Sequence, residues 1–370
     1  MKLRHMKIAV LLVLFIMVSC GTEIRLGNSI IRRSFIAKDV KAAPGMAAWL
    51  DPGHLVFISS GHLFIYNVRT GKLSERPGKA GSAGAYYFLG RSEWGVAALS
   101  VADRKPRLFI LRNGGSVTAG SLQMEKLPDQ GISGNPRAAF ALPIPGRFLL
   151  VYLSLKETSI GLEENGRLVL LDTSAGKTAG KVLYSSSRYL PGQWAECAPS
   201  ALAGWTWAMP DNSGKFYPLI ETEAPPVAPA FAKLEILDFV AGAVKEIGRL
   251  DYTACPVAVS APSDGAGRGV QLVLASEHGL SYYNNGVIKT IGHMRGIYPS
   301  QNPSGGLIYV GGWIVSRKKG SVAGWGYPFK LISGAQDSAG FWSPDGRLLA
   351  VANKRGLYLY SGFPVKGAGR

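Results

Sequence analysis

The sequence predicts an all-β chain built from seven repeats of one small antiparallel sheet. Short runs rich in Val, Ile, Leu, Phe and Tyr are punctuated by Gly, Pro, Asn and Asp, and no long stretch keeps apolar residues at the helical period of 3.6. Forty-seven glycines and 22 prolines supply turn residues along the whole chain. A strand–turn–strand unit also recurs every 40 to 60 residues or so, and self-similarity at such a period marks a repeat architecture.

The first element is a targeting segment. Lys2, Arg4 and Lys7 give a positive start, and Ile8 to Val18 follow with neither charge nor strong polarity. A basic start, a short apolar stretch and a small-residue exit are the build of a secretory signal. A membrane-spanning helix needs about 20 apolar residues, more than this run provides. The exit, Met17-Val18-Ser19-Cys20, resembles a lipobox, with Met17 where that family usually has leucine. The resemblance implies that residues 1–19 are a lipoprotein signal peptide and that Cys20 becomes the lipidated N-terminus. Residues 20–28 then form a short tether, and the chain is an extracytoplasmic, membrane-anchored lipoprotein on the periplasmic side or the cell surface. The other reading is an ordinary secretory signal with an incidental cysteine.

The formal charge is +17; loss of residues 1–19 removes Lys2, Arg4 and Lys7 and no acid, leaving +14. That balance favours anionic surfaces such as lipid headgroups or wall polymers, and export sets nucleic acid aside. With Cys20 lipidated, Cys197 and Cys255 remain. An oxidising compartment permits a disulfide between them, and two cysteines are too few for a four-cysteine metal site.

The repeats occupy residues 29–370, read as a single domain. The last unit runs Phe341-Trp-Ser-Pro-Asp-Gly-Arg-Leu-Leu-Ala-Val-Ala352 and then Gly356-Leu-Tyr-Leu-Tyr360. The first echoes it with Trp49-Leu-Asp-Pro-Gly-His-Leu-Val-Phe-Ile58 and Gly61-His-Leu-Phe-Ile-Tyr66. These units resemble the WD40-like repeat of TolB-type propellers, which implies a β-propeller of four-stranded antiparallel blades. Unit starts fall near residues 44, 84, 136, 199, 256, 299 and 338, marked by Pro44, Pro136, Pro199, Pro256 and Pro299 before small-residue segments. Seven blades follow, with six or eight left open because the second and fourth units are loose. Trp49 and Trp342 read as packing between blades. The last unit has room for three strands, so the extended segment Ser29–Ile36 is expected to add the fourth and close the ring.

No nucleophile elbow, His-Glu-x-x-His, phosphate loop or dinucleotide glycine fingerprint is present in the sequence. Asp51, Asp264 and Asp345 fall in turns, where their carboxylates cap the backbone, and His54, His62, His278 and His293 are scattered. Neither cofactor nor metal is expected. Two insertions stand out, Leu155–Asn165 and Pro218–Pro229, which concentrate Glu157, Glu163, Glu164, Glu221 and Glu223 on a basic chain. Long loops on a rigid scaffold are frequent binding elements. Arg317, Lys318 and Lys319 lie among Trp313, Trp325, Tyr327 and Phe329, a mixture that suits an anionic surface. The expected function is a non-catalytic protein-binding scaffold whose partner is another envelope protein. The alternative is a propeller enzyme, a hydrolase or lyase acting on a glycan or lactone at the channel mouth.

Overall fold

The computed structural model describes residues 23–26, 29–76, 84–91, 94–102, 105–112, 122–125, 136–141, 146–158, 161–172, 179–190, 215–223, 231–238, 243–251, 258–260, 271–276, 279–284, 287–294, 298–303, 306–317, 326 and 328–363. Among them the regular structure is entirely strand, grouped in seven antiparallel sheets. Strands β1 (Glu23–Leu26) and β2 (Ser29–Ala37) form a hairpin at the start of the chain. The first sheet is β3 (Ala47–Asp51), β4 (His54–Ser59), β5 (His62–Asn67) and β6 (Leu73–Arg76). The second is β7 (Ala85–Arg91), β8 (Gly95–Ala102), β9 (Lys105–Arg112) and β10 (Leu122–Glu125). The third is β11 (Pro136–Ala141), β12 (Arg147–Thr158), β13 (Gly161–Asp172) and β14 (Ala179–Leu190).

Three strands are described in the fourth sheet, β15 (Lys215–Glu223), β16 (Phe231–Asp238) and β17 (Ala243–Asp251). The fifth is β18 (Ala258–Ser260), β19 (Gln271–Ser276), β20 (Gly279–Asn284) and β21 (Val287–Gly292). The sixth is β22 (Ser300–Gln301), β23 (Leu307–Val310), β24 (Trp313–Ser316) and β25 (Phe329–Lys330). The seventh joins β26 (Ala339–Trp342), β27 (Leu348–Asn353) and β28 (Gly356–Ser361) to β2 and β1, in the order β1-β2-β28-β27-β26. The expected closure is therefore present: β2 pairs antiparallel with β28, Arg32 opposite Ser361 and Phe35 opposite Tyr358. One feature differs from the sequence reading. Residues 23–26, assigned to the tether, form a further strand, with Glu23 opposite Arg32 and Leu26 opposite Ser29.

Alternation along each strand explains why the sheets stack. Successive side chains point to opposite faces. Ala47, Trp49, Leu55 and Phe57 pack with Ala339, Phe341, Ala350 and Leu359 of the seventh sheet. Their chain neighbours Ala48, Leu50, Val56 and Ile58 pack with Tyr86, Leu89, Val96 and Phe109 of the second. In the seventh sheet, Trp342, Leu349, Val351 and Tyr360 turn the other way, onto Leu307, Tyr309 and Ile314 of the sixth. A sheet covered on both faces reads as a continuous apolar run, as in Leu55-Val-Phe-Ile58 and Leu348-Leu-Ala-Val-Ala352.

Polar ties cross the same joints. The Trp49 indole Nε1 donates to the Phe341 carbonyl at 2.8 Å, bridging residues 292 apart in sequence, and Trp342 Nε1 donates to the Ser300 carbonyl at 3.1 Å. Both tryptophans thus act between blades as expected, each reaching the inner strand of the preceding sheet. The Tyr87 hydroxyl donates to the Pro136 carbonyl at 2.7 Å, from the second sheet to the third. The sixth and seventh sheets approach so closely that Gly340 has no room for a side chain: a Cβ there would lie 2.4 Å from a Tyr309 ring carbon.

The hairpin turns follow the expected chemistry. Asp51 Oδ1 accepts from the Gly53 amide at 2.7 Å. Asp345 Oδ1 accepts from the Ser343 hydroxyl at 2.6 Å and the Arg347 amide at 3.2 Å. Asn302 serves the sixth sheet in the same way, its Oδ1 accepting from the Leu307 amide at 2.9 Å. Asp264 lies outside the described residues.

Ile31 on the closing strand is fully buried against the sixth and seventh sheets. Ile31→Ala is therefore expected to cost about 2–5 kcal/mol in chemical denaturation, the range for deleting a buried branched side chain. Ile30→Ala, at an exposed neighbour, should be close to neutral. Equal effects at the two positions would contradict closure through β2.

Candidate functional site

The sequence marks residues 155–165 and 218–229 as open loops; the structure continues residues 155–158, 161–165 and 218–223 as strand. β12 and β13 are each 12 residues long and pair without a break from Arg147 opposite Asp172 to Thr158 opposite Gly161. The inner strand β11 follows β12 only as far as Tyr152. Residues 153–158, 161–166 and the end of β14 therefore project past the inner strand as a three-stranded ribbon. In the fourth sheet β15 and β16 pair up to their connection, with Glu221 opposite Lys233 and Glu223 opposite Phe231. Both extensions surround the connection leading into the second-last strand of their sheet, so they stand at one end of the ring.

Register also changes the electrostatic reading. Glu163 lies opposite Lys156, Glu164 opposite Arg188 and Glu221 opposite Lys233. These register positions put residues of opposite charge at paired Cα positions. The acidic residues are thus interleaved with cations on a mixed-sign ribbon, and Glu157 sits opposite Leu162 next to the β12–β13 turn. Charged residues such as Lys156, Glu163 and Glu221 are a poor guide to a strand that leaves the core.

The sequence places Arg317 in a patch suited to an anionic surface, but its guanidinium turns inward. Arg317 Nη2 donates to the Tyr282 hydroxyl at 2.7 Å, and its Cζ lies 5.5 Å from the centre of that ring. Tyr282 is buried in the joint between the fifth and sixth sheets, so Arg317 ties two blades together. Lys318, Lys319 and Trp325 lie outside the described residues, as do Cys20, Cys197, Cys255 and His278.

His54 and His62 fill structural places. His54 Nδ1 is 2.8 Å from Asp51 Oδ2, and its Nε2 is 3.0 Å from the Asn67 amide nitrogen. Asn67 is itself fixed by accepting from the Thr70 amide at 2.9 Å. The Asn67 amide donates to Nε2, which leaves the proton on Nδ1 to donate to Asp51. Both ring nitrogens are occupied within one sheet, and the trio clamps the ends of β3, β4 and β5. His62 pairs with Glu75 at 2.9 Å on the exposed rim. No group of three or more His, Cys, Asp or Glu side chains among the described residues could hold a metal ion.

Buried tyrosines titrate late. Burial pushes the Tyr86 and Tyr360 hydroxyls up to about 12, and drives Tyr309 higher still, against the opposing effect of its hydrogen bond with Ser338. Sequence reasoning missed Tyr309 with Ser338 and Tyr282 with Arg317. Their partners lie 29 and 35 residues away, on neighbouring elements that no local pattern connects.

No protein-family model matches the sequence, and no curated protein matches it. Among solved structures, the crystal structure of the C-terminal WD40 domain of Sif2 superposes with a TM-score of 0.51 at 10% identity, covering 90% of this chain and 98% of that one. Identity that low shows the fold alone: a WD40-like propeller.

The raised tyrosines set an alkaline limit to stability. Unfolded tyrosine ionises near 10, whereas Tyr86 stays neutral in the folded chain to about 12, so the folded state holds its proton more tightly. That contribution is complete below pH 10 and is lost as pH rises toward 12. Melting temperature is expected to fall through this window, with a class of tyrosines that ionises only on unfolding. Full tyrosine ionisation in the folded protein near pH 10 would contradict it.

Proposed function

We propose that this chain is an exported lipoprotein, held at a membrane by lipid on Cys20, whose propeller is a non-catalytic protein-binding scaffold of the cell envelope. The strand ribbons of the third and fourth sheets are the observation that carries the scaffold reading. In the third sheet the ribbon extends past the last described pair of the inner strand β11, Pro136 opposite Tyr152. A charged projection on a scaffold of packed sheets is suited to contact another protein. A WD40-like architecture is consistent with that role, although fold alone does not specify function. The basic start, the apolar segment and the lipobox-like Met17-Val18-Ser19-Cys20 support export and anchoring. The partner is another envelope protein.

Two measurements on one preparation test the halves separately. Protein extracted from membranes is expected to begin at an acylated Cys20 by intact mass, and Cys20→Ala should release the protein from the membrane fraction. Persistent membrane retention of Cys20→Ala would contradict the anchor. A photocrosslinking residue at Ser159, between β12 and β13, should give one discrete protein adduct in intact cells. The same probe at Lys354, exposed in the β27–β28 turn, should give none; matching patterns at the two positions would contradict a ribbon-specific partner.

A further inference from the structure

We propose that the outer rim of the seventh sheet, formed by β1 and β2, is the surface that rests against the bilayer. The proposal builds on the anchor at Cys20. Two residues separate Cys20 from Glu23, and each of the three Cα–Cα steps is at most about 3.8 Å, so the start of β1 lies within about 11 Å of the acylated residue. Glu23 stands opposite Arg32, so the chain enters the blade at the middle of β2, beside Arg33 and Phe35. Whatever lies on this rim is brought to the headgroups.

The rim carries the side chains a headgroup layer favours. Six large apolar residues are exposed among the described residues, and two of them, Ile30 at 44% and Phe35 at 51%, are on β2. They occupy positions of opposite parity and flank the strand from its two faces. On the first face, Arg25 lies opposite Ile30, and both are exposed together with Arg32. Arg32 remains 71% exposed although it lies 3.4 Å from Glu23. On the other face Phe35 meets the Tyr358 ring edge-on at 5.4 Å, and Arg33 lies 5.3 Å from the centre of the same ring. Apolar and aromatic side chains beside arginines are the composition of a membrane interface. Each basic side chain near an anionic leaflet adds to the attraction.

Contact on both flanks of β2, the strand next to the edge strand β1, means that the blade meets the bilayer edge-on. The two ends of the ring then both stay open to water. The third and fourth sheets are also farthest from the seventh in a seven-membered ring, so their ribbons are held on the side away from the lipid. An anchor this short therefore presents the partner-binding elements outward.

The test places p-benzoylphenylalanine at 30, 35, 182 or 287 in the acylated protein, reconstituted in vesicles of phosphatidylethanolamine and phosphatidylglycerol. Val182 and Val287, 44% and 54% exposed, are matched rim positions on the third and fifth sheets. Lipid adducts are expected several-fold more often at 30 and 35; equal yields at all four positions would overturn the rim contact. Intact mass of the same protein reads the anchor independently. Should it show no acyl group, the rim is decided on Cys20→Ser protein, whose sedimentation with these vesicles must fall several-fold in R25E/R32E at unchanged melting temperature. Unchanged sedimentation would overturn the surface.

Discussion

A four-stranded sheet with apolar side chains on both faces is not stable alone in water, because each face it leaves open exposes the surface whose burial stabilises it. Two-sided burial is the condition from which the rest of this structure follows. Ala47, Trp49, Leu55 and Phe57 need the seventh sheet, while Ala48, Leu50, Val56 and Ile58 need the second. Repeating that demand around the chain gives a ring, which leaves only the short outer edges unpaired. The first sheet then has to find the last, nearly 300 residues away. Trp49 shows how that joint is made specific: its ring fills the gap and its indole nitrogen satisfies the Phe341 carbonyl. A buried carbonyl left without a donor costs about 1–3 kcal/mol, so the joint tolerates few substitutes.

Closure has a second layer in the β1–β2 hairpin. The seventh sheet takes three strands from the end of the chain and two from its beginning. The join therefore runs through backbone hydrogen bonds within a sheet as well as through side-chain packing between sheets. Loop-closure entropy grows slowly with length, so linking the ends of a long chain adds little beyond linking nearer strands. The same hairpin brings the start of β1 to the outer rim, which couples the mechanical closure of the ring to the placement of the proposed anchor.

The end units were legible in the sequence because their turns are chemically explicit. Ser343-Pro-Asp-Gly-Arg347 encodes its own hydroxyl and carboxylate caps, and Asp51-Pro-Gly-His54 encodes a carboxylate cap alone. The closing strand was legible by counting, since the last unit lacked a fourth strand. Strand β1 was not, because Glu23-Ile-Arg-Leu26 is short, half charged and held mainly by its partner. The extended strands of the third and fourth sheets read as loops for a related reason: beyond the core a strand loses its apolar alternation, as in Glu163-Glu164 and Glu221-Thr-Glu223. Arg317 illustrates the limit for sites. Beside two lysines it reads as part of a basic patch, and only the neighbouring blade reveals that Tyr282 holds it.

Native-state hydrogen exchange tests the closed ring most directly. If two-sided burial with N-terminal closure holds the structure, amides of β2 and β28 exchange only through the same global opening as those of β3 and β27, with matching protection across the first and seventh sheets. Exchange of β2 and its β28 partners orders of magnitude faster than β27, at the rate of a fraying terminus, would show that the hairpin is an appendage and that the ring does not depend on it.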